Sequence, residues 1–309
     1  MKEEKILPHI LLCYDGSPSG YKGLKYIEQV FEKSEICVTL LRIIDSPKLH
    51  PSLSTNLKKR FFQEEEVEET ANKLYKEHYN KLCEVAEHLK SKTLGRVDVK
   101  VIFKQGELFY DIVKTAQEGM YDAVVVGRRG LSRISSFILG SITQKLVYST
   151  SFPVWIIRGN EWNKKVFVGI ELNEIGIRLI DYVSFILAYV KEVKPIFCHI
   201  YHPFSPFQEF RGSLEELIKS TQSPEIREYF LKVRDIFRTN DFDESRAEFV
   251  FKRSIFGTAG QIIRFVKKED FSTVVIGRRG KSKLREIFLG SVSQKLISYF
   301  EDKAIWIVH

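Results

Sequence analysis

The sequence lacks most of the features that mark membrane, secreted and metal-binding chains. No run approaches the ~18 uninterrupted apolar residues of a membrane span. Met1-Lys2-Glu3-Glu4-Lys5 has no signal-peptide core behind it, because residues 6–13 are apolar but too short and serve better as a first strand. A cytoplasmic protein is expected. Cysteine is scarce: Cys13, Cys37, Cys83 and Cys198 form no Cys-x-x-Cys pair, and three of them sit in apolar strand or helix patterns, so they read as small buried hydrophobes. His78 and His88 do not have the i, i+4 spacing that puts two ligands on one helix face, so no metal site is expected from the protein alone. There is no Gly-x4-Gly-Lys-Ser/Thr phosphate loop, no Gly-x-Gly-x-x-Gly fingerprint and no Gly-x-Ser-x-Gly elbow. A basic tail and a dense Lys/Arg cluster are also missing. The net charge of +8 divides evenly, 24 Lys+Arg against 20 Asp+Glu in each of residues 1–160 and 161–309. Such interspersed charge reads as a solvated surface rather than a nucleic-acid footprint.

What is present fills two ordinary domains. The chain has 309 residues and is 44% hydrophobic, enough for two cores. Its most informative stretch is Gly127-Arg128-Arg129-Gly130, nine residues, then Gly140-Ser141. The pattern recurs as Gly277-Arg278-Arg279-Gly280, nine residues, then Gly290-Ser291. Between Val124–Val147 and Val274–Ile297, 13 of 24 positions are identical without a gap. Each copy follows an apolar run that reads as a buried parallel strand, and each leads into a helix, Ser141–Tyr148 or Ser291–Tyr299.

The surrounding sequence repeats too. In the first half, strands are expected at Ile10–Tyr14, Glu35–Ile44, Val97–Phe103, Asp122–Gly127 and Pro153–Ile157. Helices are expected at Pro18–Phe31, roughly residues 57–91, and Asp111–Glu118, with Ser17 as N-cap and Pro18 at the first helical position. The second half follows the same order, with a proline loop at His202–Pro206 and helical segments interrupted at Ser223-Pro224. The fold class is therefore α/β. Two tandem, doubly wound, five-stranded parallel-sheet domains are expected over residues 1–159 and 160–309. Ligands of such sheets bind beyond the strand C-termini, where the strand order reverses.

The repeated loop admits two readings. Glycines allow close backbone approach to a ligand, helix-start amides attract anions, and Arg128, Arg129, Arg278 and Arg279 add positive charge. Alternatively, glycine turns after strands are structural, exposed arginines are solvated, and Ser141 with Gln144 or Ser291 with Gln294 forms a capping box. Gly-x2-Gly-x9-Gly-Ser after an apolar strand resembles the nucleotide-binding signature of the universal stress protein family, and the resemblance covers nearly the whole chain. It implies an adenine-nucleotide alpha hydrolase-like fold, and a stress-response or regulatory protein that binds ATP, with Mg carried by the nucleotide. It implies a place for Asp15 near the adenosine end and for the backbone of Ile43 against adenine. Gly127, Arg129, Gly130, Gly140, Ser141, Ile142 and Thr143 fall at ribose and phosphate positions. By sequence alone Asp15 is equally a helix-start carboxylate, and Ile43 a core residue. In the second half the corresponding positions are Glu171, Ile200, Gly277, Arg279, Gly280, Gly290, Ser291, Val292 and Ser293. That half departs from the pattern where Glu171-Leu172-Asn173 replaces Asp15-Gly16-Ser17.

No catalytic residue is identified. A slow ATP hydrolase or nucleotidyl-transferring enzyme on the same fold is the alternative, because Asp15 near Mg-bound phosphates would polarise water. Single-domain members of the resembled family commonly dimerise by pairing their last strands across a two-fold axis. Here that implies antiparallel pairing of residues 153–157 with 304–308, which covers two apolar edges within one chain. A homodimer would then use another face, and no protein partner is legible.

Overall fold

The computed structural model describes residues 6–45, 64–127, 140–205, 207–255, 257–278 and 289–309. In the first half these form β1 (His9–Cys13), α1 (Pro18–Val30), β2 (Cys37–Ile44), α2 (Glu64–Lys90), β3 (Val97–Phe103), α3 (Leu108–Glu118), β4 (Ala123–Gly127), α4 (Ser141–Ser149) and β5 (Val154–Ile157). The second half forms β6 (Lys165–Ile170), α5 (Glu174–Ala188), β7 (Lys194–Tyr201), β8 (Phe210–Gly212), α6 (Leu214–Ser220) and α7 (Pro224–Thr239). A 3-10 turn (Glu244–Arg246), β9 (Glu248–Arg253), α8 (Gly257–Lys268), β10 (Thr273–Gly277), α9 (Ser291–Tyr299) and β11 (Ala304–Val308) complete it.

Among the described residues eleven strands join one sheet in the order β3-β2-β1-β4-β5-β11-β10-β6-β7-β9-β8. Within each half the pairs are parallel, except that β8 runs antiparallel to β9. The second half thus has six strands, not the expected five. The sequence reading missed β8 because three residues are too few to show alternation. Its Arg211 forks onto Glu248 and also reaches Glu269, which ties the added edge down.

The helices begin where local chemistry starts them. Ser17 accepts Gly20 N and Pro18 follows it. Asn173 performs the same service for α5, accepting Ile175 N and Gly176 N. Two hydrophobic layers lie on the two faces of the sheet. One gathers α1, α2, α5 and α7, the other α3, α4, α8 and α9. The cysteines are less uniform than expected, with Cys198 buried but Cys13, Cys37 and Cys83 only partly so.

The halves meet through their last strands. β5 and β11 pair antiparallel with Trp155 opposite Trp306 and Val154 opposite Ile307. The two indoles stack at 3.9 Å with a 2° interplanar angle, and both are fully buried. Tyrosines cross in both directions: Tyr26 Oη hydrogen-bonds Thr273 Oγ1 at 3.0 Å, and Tyr182 Oη donates to Asp122 O at 3.1 Å. Trp155 Nε1 donates to Tyr182 Oη at 2.9 Å, so the indole's polar atom is satisfied in the core. The connecting segment is packed as well, with Trp162 buried and donating from its ring to Arg158 O.

Candidate functional site

The strand order reverses between β1 and β4, and again between β6 and β10. Leu12 lies opposite Val125, so the C-terminal ends of β1 and β4 open side by side. Asp15 follows the first and Gly127 ends the second, which places both at the switch point of the sheet.

Asp15 is exposed there. Its Oδ1 accepts Ser17 N at 3.0 Å and also the Ser17 hydroxyl. The carboxylate therefore shapes the turn into α1 while standing at the mouth. Gly16 has φ +72°, which a side chain rarely adopts. In the second half Leu172 takes that place and packs on the core, and Glu171 O accepts the Tyr229 hydroxyl at 3.1 Å. The Glu171 carboxylate accepts Asn173 Nδ2 at 2.9 Å.

Ile43 and Ile200 are partly buried side chains packed against the α3, α4, α8 and α9 layer. Their backbones carry more information. Tyr14 N donates to Leu41 O and Lys104 N donates to Ile44 O. Alternation along β2 then turns the Ile43 amide and carbonyl toward β1, beyond the last paired residue of that strand.

The two loop ends are built alike. Gly140 (φ −54°, ψ 145°) and Gly290 (φ −61°, ψ 151°) are the N-caps of α4 and α9, with no side-chain cap bond. Ser141 and Ser291 are first helical residues rather than caps, so the capping-box reading is overturned. Gln144 N closes the first intrahelical bond onto Gly140 O, and Gln294 N onto Gly290 O. The amides of Ser141, Ile142 and Thr143, like those of Ser291, Val292 and Ser293, thus belong to the unpaired first turn that attracts anions. Among the described residues nothing lies within 4 Å of a Cβ built on Gly140. Gly127 differs, since a Cβ there would sit 1.7 Å from Ser19 O. Its glycine is required by packing against α1. Ser293 Oγ donates to Gly277 O at 3.1 Å, so that hydroxyl braces the strand end.

Arg128, Arg129, Gly130, Arg279 and Gly280 lie outside the described residues. Arg278 is described and corrects its assignment. It is buried and donates to Thr150 O and Tyr148 O of the first half instead of facing an anion in its own half. Arg42 escaped the sequence reading. It projects from β2 on the face opposite Ile43, with a terminal nitrogen 3.2 Å from where a Gly16 Cβ would be, and its buried Nε has no hydrogen-bond partner among the described residues. Its sequence signal is a cation next to Ile43. The second half has His199 there, with Nδ1 3.1 Å from Ile170 O; burial lowers its pKa, against the backbone bond and Glu171.

The universal stress protein family model matches residues 7–158 and again 163–301. The chain belongs to that family. Among curated members, the universal stress protein YxiE of Bacillus subtilis is 25% identical over 150 residues, which is 48% of this chain and 97% of the relative. The universal stress protein MJ0577 of Methanocaldococcus jannaschii is 26% identical over 154 residues, 48% of this chain and 93% of the relative. Each of these relatives is thus about one half of the present chain. A universal stress protein from Archaeoglobus fulgidus superimposes with a TM-score of 0.59 over 97% of this chain and 95% of its own, at 16% identity, and so shares the fold. Among the described residues no helix is long and apolar enough to cross a membrane, and no cluster of three or more His, Cys, Asp or Glu is placed to hold a metal.

Proposed function

We propose that this universal stress protein is a nucleotide-binding regulatory protein that takes ATP, with Mg carried by the nucleotide. The observation that supports it most directly is the pair of helix starts at Gly140 and Gly290, which present first-turn amides without a side-chain cap at the C-terminal edge of a parallel sheet. The triphosphate would lie on the Gly140–Thr143 amides, and the base would lie between Asp15 and the backbone of Ile43. Arg129 and Gly130 belong to the same cradle by their place in the motif. The second cradle uses Gly277, Arg279, Gly280, Gly290, Ser291 and Val292, with Ser293 bracing it from behind. Glu171 and Ile200 close its base end. The units of this arrangement are residues 1–159 and 160–309.

The adenosine end is better formed in the first half. Gly16 puts no side chain at that turn, where the Arg42 guanidinium stands, whereas Leu172 brings one that packs on the core. On this reading the site binds its nucleotide without efficient catalysis. Mass spectrometry of nucleotide released from protein purified without added ligand tests the reading. Co-purified ATP is the expected result. ADP alone would favour a hydrolase, and the absence of nucleotide, together with no ATP binding by calorimetry, would refute it.

A further inference from the structure

Each cradle helix is held at its far end by an arginine of the other half. Arg278 follows Gly277, and its backbone N donates to Val308 O at 2.7 Å. Its guanidinium crosses to the first half, where Nη1 donates to Thr150 O at 2.9 Å and Nη2 to Tyr148 O. The side chain is buried, and burial brings its pKa down to about 10, which leaves it charged at neutral pH. Tyr148 and Thr150 close the C-terminal end of α4, the helix that starts at the first cradle. Arg158 makes the reciprocal contact. It is buried, and its Nη1 donates to Ile297 O and to Phe300 O, the latter at 2.6 Å, at the C-terminal end of α9.

The last carbonyls of a helix have no intrahelical donors, and together they carry its negative pole. A buried cation on those carbonyls neutralises that pole. That contact holds the end of a nine-residue helix whose other end is the first cradle. The fork onto two carbonyls also fixes where α4 lies. Docking of the halves does not depend on it, because the stacked Trp155 and Trp306 and the registered β5–β11 pair already join them. Arg278 is also adjacent in sequence to the second glycine loop, so a shift of that strand end moves the group that holds α4.

We infer that Arg278 is a positioning residue for the nucleotide site of the first half, supplied by the second half, and that Arg158 does the same for the second site. The inference rests on the nucleotide reading above. The test uses the full chain with the second cradle blocked by Gly290→Asp, and MgATP as the calorimetric probe. Arg278→Met in that background weakens binding at the first half about fivefold through loss of the fork that places α4. Arg278→Lys keeps the charge without the fork and recovers part of the loss. Urea unfolding without nucleotide is recorded for each variant. A Met variant that is less stable but binds MgATP as tightly as its parent overturns the inference. If the Met variant does not fold, the Lys variant decides: unchanged affinity overturns it and weakened affinity supports it. A parent that binds no MgATP refutes the nucleotide reading and this inference with it, and that result appears before Arg278 is altered.

Discussion

Gly127→Ala separates glycines that packing requires from glycines that a ligand requires. The added Cβ would lie 1.7 Å from Ser19 O and 2.3 Å from Ser19 C. Both obstacles are backbone, in the first turn of α1, and neither can rotate away. Either the end of β4 or the start of α1 must move by over an ångström, and both are buried against the sheet. Overpacking of a well-filled core costs about 1–3 kcal/mol, and an immovable neighbour puts this case near 3. Among the described residues the equivalent Cβ at Gly277 meets only Ile175 Cγ2 at 3.3 Å, a side-chain methyl that can yield. Gly277→Ala should therefore cost under about 1 kcal/mol. Gly140→Ala meets nothing among the described residues within 4 Å, and its stability cost is that of a poorer N-cap, about 1 kcal/mol or less. Urea unfolding followed by circular dichroism gives the three values, and MgATP titration is run alongside. The expected pattern is a destabilised Gly127→Ala and a stable Gly140→Ala with weakened MgATP binding. A Gly127→Ala protein as stable as the parent would refute the packing account, and unchanged MgATP affinity in Gly140→Ala would refute the cradle.

Four further outcomes follow from the same geometry. Gly140→Asp adds a negative charge where the proposed phosphate would lie and should abolish MgATP binding at the first half with the fold retained, measured with the second site blocked. Calorimetry on the separately blocked halves should show tighter binding in the first, because Leu172 brings a side chain to the turn where Gly16 has none; equal affinities would refute this. Trp155→Ala removes a fully buried indole from the junction and should cost about 3–5 kcal/mol in urea unfolding, whereas a loss below 1 would show that the stack contributes little. His199 has a pKa below the ordinary 6.5 because it is buried, so the neutral form stabilises the fold above about pH 6.5 and this stability is lost as pH falls through the lower folded value. His199→Asn should flatten that acid limb of the stability–pH curve, and an unchanged limb would assign it to other groups.

The sequence alone was sufficient for the repeat and the α/β alternation, because each has a local signature. Buried parallel strands are short apolar runs and Ser17-Pro18 is a helix start, whereas the β5–β11 junction was expected from the resemblance to the family. The tertiary structure decided which residues within the motif serve which purpose. Gly127 and Gly140 are both glycines of one signature, yet only the fold shows that Ser19 O lies against the first while nothing described crowds the second. Ser141 and Gln144 have capping-box spacing, but the helix begins with Gly140 as its cap. Arg278 belongs to the loop by sequence and to the opposite half by position, because its partners are carbonyls 128 and 130 residues away. Backbone carbonyls have no letter of their own in a sequence, so contacts made to them become visible only when the chain is folded.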